Sequence, residues 1–163
     1  MKPKYKIIKL LREDFGDKEY LAKIDNEEKY YVMKQIIIEE MTDQEKKEAY
    51  NKAVSLIKLD HPNIIKFKEV FLLKKPKEAL NLVKEFIEGE DLVQKIEQQK
   101  KMPFPESQIL DYITQICLAL QHIHEKKMIH RNINSNNVFV MKDGTIKLGG
   151  FEIPKGMNIL KKK

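Results

Sequence analysis

Apolar residues recur along this chain with two different periods, and these periods predict its order of strands and helices. Runs rich in Val, Ile, Tyr and Phe predict five strands in the first half of the chain, at residues 5–11, 19–24, 30–38, 64–73 and 79–86. A helix interrupts them, because Thr42 and Glu45 form a capping box ahead of apolar residues at helical spacing. We expect His61-Pro62-Asn63 to end that helix, since proline disfavours helical backbone in the residue before it.

The second half of the chain is predicted to be mainly helical. A short helix is expected at residues 91–99 and a longer one at 106–126, and strands 138–141 and 145–148 follow around Asp143-Gly144. Five strands with one inserted helix, then helices, then a hairpin indicate an α+β fold in two lobes. The predicted domains are 1–87 for the first lobe, 88–153 for a hinge and the second lobe, and 154–163 for a basic tail.

The long predicted helix is apolar around most of its circumference, which is typical of a helix inside a larger body. Few residues follow it, so we expect a partner protein to cover its apolar side chains: Ile109, Tyr112, Ile113, Ile116, Leu120 and Ile123. The alternative is that the chain's own residues cover this helix in a compact small core.

Composition places the chain among soluble, intracellular proteins of one domain's length. It has 163 residues, of which 42% are apolar and 34% are charged. Its single cysteine, Cys117, excludes a disulfide framework and a zinc site built from four thiolates. The first residues lack the apolar segment of a signal peptide, and no run is long enough to span a bilayer.

The net charge of +6 favours acidic partners. Of 31 basic residues only Arg12 and Arg131 are arginine, so the chain lacks the guanidinium groups that commonly recognise base edges. We therefore expect partner proteins with an acidic surface, no membrane association, and no nucleic acid.

Six short motifs follow one another between residues 31 and 149. They are Tyr31-Val32-Met33-Lys34, His61-Pro62-Asn63-Ile64, residues 86–92, residues 108–120, residues 130–137 and residues 142–149. In this order and spacing they resemble the front part of a eukaryotic protein kinase, and within that superfamily the NIMA-related kinases. The resemblance implies a kinase-like fold with a complete five-stranded N-lobe and only the first part of the C-lobe.

Several phosphate-handling positions of the family carry other residues in the first lobe. The three glycines of the nucleotide loop correspond to Leu11, Glu13 and Gly16, and the residue above the adenine ring corresponds to Lys18. Lys34 matches the strand lysine, whereas Lys52 stands where its glutamate partner belongs, so two like charges are expected to meet there. Glu48, one turn before Lys52, is expected to form an ion pair with it. Lys84 stands at the gatekeeper position, where it either joins Lys34 and Lys52 as a third cation of one pocket or extends its side chain into solvent.

The catalytic loop departs from the family pattern in the same way. Asn132 replaces the catalytic aspartate and Asn134 replaces the lysine that contacts the transferred phosphate. Asn137 matches a magnesium-binding asparagine, but Gly150 replaces the aspartate that binds magnesium in the Asp-Phe-Gly motif. The remnants Gly16, Lys34 and Asn137 are not expected to hold a cofactor, and no metal site is predicted.

Positions that the family uses for packing keep suitable residues. The resemblance implies a structural spine of Leu56, Phe67, His130 and Phe151, with His130 as a packed imidazole rather than an acid or base. A complete kinase would continue after Ile153 with an activation segment and further helices, which supply its substrate platform. We therefore expect a truncated, non-catalytic pseudokinase.

The resemblance also suggests where such a protein works. NIMA-related kinases act mainly around microtubules, centrosomes and cilia, so we expect a structural or interaction module in a cytoplasmic, cytoskeletal assembly such as a cilium or axoneme. Tubulin or axonemal proteins would be its partners. An alternative is a regulatory partner of a full-length NIMA-related kinase, and a third, less favoured, is residual nucleotide binding or kinase activity.

Overall fold

A computed structural model describes residues 5–14, 16–25, 27–100 and 102–153 of the chain. The predicted basic tail, 154–163, lies outside these residues. The described elements are β1 (Tyr5–Asp14), β2 (Asp17–Ile24), β3 (Tyr30–Ile37), α1 (Asp43–Ile57), β4 (Phe67–Leu73), β5 (Ala79–Glu85), β6 (Glu90–Asp91), α2 (Leu92–Gln98), α3 (Glu106–Glu125), β7 (Val138–Val140) and β8 (Ile146–Leu148), with a 3₁₀ turn at Ser135–Asn137. The predicted α+β order is confirmed.

The chain divides into two units at a slightly different place from the predicted one. The first unit contains Phe67–Phe86, Ile153 and the described residues up to Lys58, and the second contains Leu59–Lys66 and Ile87–Glu152. Segment Leu59–Lys66 was predicted in the first lobe. It joins the second unit because its backbone binds β8: Leu148 N–H donates to Asn63 O at 2.9 Å, and Ile65 N–H donates to Leu148 O at 3.0 Å.

In the first unit, five antiparallel strands form one sheet in the order β1-β2-β3-β5-β4. One face of the sheet carries a core that is buried among the strands and consists of Ala22, Ile24, Tyr31, Met33 and Val83. The sheet curls until its two edge strands meet. Tyr5 of β1 stacks on Phe71 of β4 with ring centroids 6.0 Å apart, and its hydroxyl donates to the Glu69 carboxylate.

The helix of the first unit begins where its capping box predicts. Glu45 N–H donates to Thr42 Oγ1 at 3.3 Å, and Thr42 N–H donates to the Glu45 carboxylate at 2.8 Å. The helix then buries Ala49, Ala53 and Leu56, and it contacts β4. It ends at Ile57, with Lys58 as its cap, so the prediction that the motif at His61 ends it was wrong by one turn.

In the second unit, α3 stands beside a small sheet with the strand order β6-β7-β8. The two-residue strand β6 was not predicted; Glu90 pairs with Val140 and Asp91 with Phe139. The β7–β8 hairpin turns at Gly144, whose φ of +87° lies in the left-handed region that favours glycine. None of the described helices is long and apolar enough to cross a membrane.

Candidate functional site

The residues singled out in the sequence lie in two groups, one in each unit. In the first unit they stand on one face of the sheet. Residues that lie directly opposite each other on neighbouring strands share a face, and Glu19 is opposite Lys34 while Val32 is opposite Lys84. Since residues two apart on a strand also share a face, the side chains of Glu19, Lys34 and Lys84 all project from the same side.

The gatekeeper lysine has an acidic partner on that face. Lys84 Nζ lies 3.2 Å from a carboxylate oxygen of Glu19, and each side chain is only about a quarter exposed. Because Glu19 belongs to β2 and Lys84 to β5, their side chains meet across β3. The expectation of an exposed Lys84 side chain was therefore wrong, and the positive charge of Lys84 is compensated by Glu19. That Lys84 lines one pocket together with Lys34 and Lys52 stays a prediction.

The strand lysine of the family pattern has no such partner among the described residues. Lys34 is half-buried, and within the part of the chain that the structure describes its ammonium makes no hydrogen bond or ion pair. Lys52 lies half-buried on α1. Glu48, which was expected to pair with Lys52, accepts a hydrogen bond from Gln44 at 2.6 Å.

The region of the nucleotide loop forms a tight β-hairpin. Pairing continues to Asp14 opposite Asp17, and Gly16 takes a φ of +84° in the turn. Glu13 forms an exposed ion pair with Lys18 at 3.5 Å. Lys18 lies opposite Gln35, the neighbour of Lys34 on β3. The Lys18 side chain therefore projects from the face of the sheet opposite to the one that carries Lys34 and Val32.

In the second unit, the catalytic-loop positions form one hydrogen-bonded network. The Asn132 amide donates to the Glu152 carboxylate at 2.8 Å, and its Oδ1 accepts from Asn134 Nδ2 at 2.7 Å. Asn137 Nδ2 donates to the backbone oxygen of Asn132 at 2.9 Å. Each amide that stands at a catalytic position is thus bound to another residue of the same segment.

Gly150 and Asn137 fit together closely. Gly150 has a φ of +76°, and a Cβ built on it would lie 2.2 Å from Cγ and Nδ2 of Asn137. The Asn137 side chain therefore fills the space that any side chain at position 150 would need. An aspartate at this position would require Asn137 to move and would adopt a backbone conformation that L-residues rarely take.

Beneath this network, His130 and Phe151 are packed together. Both are buried, and their ring centroids are 4.5 Å apart. Both ring nitrogens of His130 have backbone partners. Nε2 lies 2.7 Å from the backbone oxygen of Gly149, and Nδ1 accepts a hydrogen bond from Asn132 N–H at 3.2 Å. Leu56 and Phe67, the other two residues of the predicted spine, are buried in the first unit.

Among the described residues, one side of the apolar helix α3 is buried and the other is partly exposed. Two of the predicted partner-binding residues are buried within the second unit: Ile123 is fully buried, and Tyr112 packs against Phe104 with ring centroids 6.0 Å apart. Those two assignments were wrong. Ile109 and Ile113 are 42% and 52% exposed, and Ile116 and Leu120 are half-buried.

A polar cluster in the second unit was not predicted. Asn63 is buried and donates from Nδ2 to Gln115 Oε1 at 2.7 Å and to the Ile146 oxygen at 2.9 Å. His61 Nδ1 accepts from Asn63 N–H, and its ring lies 5.3 Å from that of His122. Burial and the nearby His122 lower the pKa of His61. In the sequence, the one sign of this polar cluster is Asn63 in the motif His61-Pro62-Asn63.

Comparison with known proteins agrees with this geometry. The model of the protein kinase domain family matches residues 15–162. The chain is 40% identical to the serine/threonine-protein kinase Nek1 of Mus musculus over 155 residues, and 38% identical to the serine/threonine-protein kinase Nek5 of Homo sapiens over 156 residues. Each alignment covers 95% of this chain, but only 13% of Nek1 and 22% of Nek5.

A solved structure shows the same fold. The kinase domain of PknI from Mycobacterium tuberculosis superposes with a TM-score of 0.75 at 19% identity, over 93% of this chain and 59% of that one. The resemblance found in the sequence motifs is thereby confirmed. This chain belongs to the protein kinase domain family, with Nek kinases among its relatives.

Proposed function

We propose that this chain is a non-catalytic kinase-fold module that acts by binding other proteins, in a microtubule-based assembly such as a cilium or axoneme. The hydrogen-bond network of the catalytic loop carries this proposal. Asn132 stands where a kinase has its catalytic carboxylate, and an amide cannot accept the proton of a substrate hydroxyl. Its donors are already used by Glu152 and its oxygen by Asn134.

The residues present do not fit a magnesium-bound nucleotide. Magnesium needs hard oxygen ligands, and Gly150 supplies none where the family has its principal carboxylate. The Nδ2 group of Asn137 is bound to the Asn132 oxygen, and its side chain fills the space beside Gly150. On the sheet face, Lys84 stands at the gatekeeper position, which is usually apolar in the family, and its side chain is held by Glu19.

The interaction role is supported by the exposed stripe of α3. Ile109 and Ile113 lie one turn apart on the same face of the helix, and their side chains are about half exposed. Exposing neighbouring apolar side chains to water is unfavourable, and such a patch is typical of a protein-binding surface. The net charge of +6 favours an acidic partner such as tubulin.

Nucleotide binding tests the non-catalytic part of the proposal. We expect the thermal midpoint of the 163-residue chain to be unchanged by millimolar ATP, with or without magnesium, and no labelled phosphate to reach a protein acceptor. A bound nucleotide at a hundred times its Kd would stabilise the fold by about 2.7 kcal/mol, which is easily measured. The proposal is refuted by a magnesium-dependent shift that the Lys34→Ala variant abolishes.

The interaction part is tested with a paired substitution on α3. We expect Ile109→Ser/Ile113→Ser to release the tagged chain from the axonemes of ciliated cells. The matched control is Ile129→Ser/Ile133→Ser, since Ile129 and Ile133 are 63% and 50% exposed elsewhere in the second unit. Equal retention of both variants would contradict the assigned surface, and co-purification with a full-length kinase would favour the regulatory alternative.

A further inference from the structure

The hairpin between β4 and β5 ends in an exposed segment, Leu72–Lys77, which we call the hairpin tip. All six of its residues are exposed, and Leu72 and Leu73 are 43% and 37% exposed. Leu72 lies opposite Leu80 and Leu73 opposite Ala79, so the two leucines project from opposite faces of the sheet. The hairpin tip therefore presents apolar surface on both sides.

The hairpin tip is also strongly basic. It contains Lys74, Lys75 and Lys77, and none of the three makes an ion pair or hydrogen bond with any of the described residues. The nearest carboxylate along the chain, that of Glu78, is held by Lys46 of α1 at 2.5 Å. Three positive charges that no described carboxylate compensates thus lie within four residues.

The base of this hairpin is held in place by the rest of the first unit. Ile38 N–H donates to the backbone oxygen of Glu78 at 3.0 Å, and the Glu78 carboxylate binds α1 through Lys46. Because the base is already held, only the tip itself has to lose conformational freedom when a partner binds.

We propose that the hairpin tip is a docking surface for an acidic protein segment in which apolar side chains are interspersed among carboxylates. The carboxylates would pair with the three lysines, and the apolar side chains would cover Leu72 and Leu73. An anionic membrane fits this arrangement less well. The lysines lie beyond the leucines at the end of the hairpin, so inserting the leucines into lipid would carry the charged groups in first. The proposal does not depend on the loss of catalysis.

The test measures binding of a fluorescent twelve-residue peptide, four repeats of Glu-Glu-Leu, to the 163-residue chain by anisotropy. We expect Lys74→Glu/Lys75→Glu/Lys77→Glu to weaken binding at least about tenfold, since like charges then oppose the peptide. The matched control is Lys6→Glu/Lys9→Glu/Lys58→Glu, which makes the same change in net charge at exposed lysines of the same unit. We expect the control to change affinity by less than about threefold.

A second variant separates a docking surface from general charge attraction. We expect Leu72→Ser/Leu73→Ser to weaken peptide binding about fivefold, because the apolar contacts are lost while every charge is kept. Circular dichroism checks that each variant is folded. The proposal is overturned if the control triple loses as much affinity as the tip triple, or if the leucine variant binds like the unmodified chain. It is equally overturned if the chain binds vesicles of phosphatidylserine and phosphatidylcholine through these lysines but not the peptide.

Discussion

The sheet face around Lys84 and the catalytic loop around Asn132 both depart from the kinase pattern, but in opposite ways. On the sheet, an apolar position has gained a charge, and this charge pairs with Glu19 of a neighbouring strand. In the loop, charged positions have become amides, and these amides bind one another and Glu152. The sheet change is one isolated ion pair, whereas the loop changes depend on each other. We therefore expect joint removal of the ion pair to be tolerated in the sheet and single changes to be costly in the loop.

The largest effect should come from removing the packing beneath the loop. Phe151→Ala deletes a buried ring that contacts His130, and such substitutions cost about 3–5 kcal/mol. We expect the free energy of unfolding in urea to fall by about 3 kcal/mol. Ile133→Ala, at a 50% exposed position of the same loop, is the control and should cost less than about 1 kcal/mol. Equal losses would show that the loop does not rest on this ring.

The next effect isolates the contact between Gly150 and Asn137. Gly150→Ala should cost about 2 kcal/mol, because it places a side chain at positive φ and against Asn137. Gly144 has a similar φ of +87° but open space around its Cβ position, so Gly144→Ala should cost about 1 kcal/mol. The difference between the two unfolding free energies measures the contact, and no difference would mean that Asn137 moves away freely.

A smaller effect is expected for restoring the catalytic carboxylate alone. Asn132→Asp replaces a hydrogen bond to Glu152 by repulsion between two carboxylates, which should cost about 1 kcal/mol at pH 7. The deficit should shrink as the pH falls towards about 4, where carboxyl groups become protonated and the repulsion is lost.

The control for this pH series is Asn136→Asp, at an exposed position of the same loop. Asn136 binds Asn134 through its backbone N–H and not through its side chain, so the substitution leaves that hydrogen bond in place. We expect it to change stability little at any pH. Urea unfolding of both variants between pH 7 and pH 4 would show whether the deficit belongs to the Asn132–Glu152 contact. A pH-independent deficit at position 132 would contradict the network.

The smallest effect is expected on the sheet. The double variant Glu19→Leu/Lys84→Met removes both charges of a partly buried ion pair, and apolar replacements of such pairs are commonly neutral or stabilising. We expect the unfolding free energy to stay within about 1 kcal/mol of the unmodified chain. A loss above about 2 kcal/mol would show that the sheet change is as constrained as those of the loop, and would end the contrast between the two regions.

Most of the fold follows from local patterns in the sequence. The capping box at Thr42 and the β-branched and aromatic runs specify elements within a few residues of their observed bounds. What could not be predicted depends on distant partners. Segment Leu59–Lys66 joins the second unit because Asn63 binds Gln115 and Ile146, and β6 exists only because β7 pairs with it.

The candidate site shows the same limit. The amides at positions 132 and 134 could be identified in the sequence, but the Lys84–Glu19 pair joins residues 65 positions apart. The burial of Tyr112 and Ile123 depends on which side of α3 meets the second unit, and an apolar pattern that surrounds a helix does not specify that side.

The contact between Tyr5 and β4 bears on the order of events during synthesis. The Tyr5 hydroxyl binds Glu69, 64 positions later, and its ring stacks on Phe71. The first strand therefore leaves the ribosome long before the residues that hold its beginning in place. Until then, its row of Ile and Leu side chains has only the neighbouring hairpin strand to pair with, and it is open to pairing with other nascent chains.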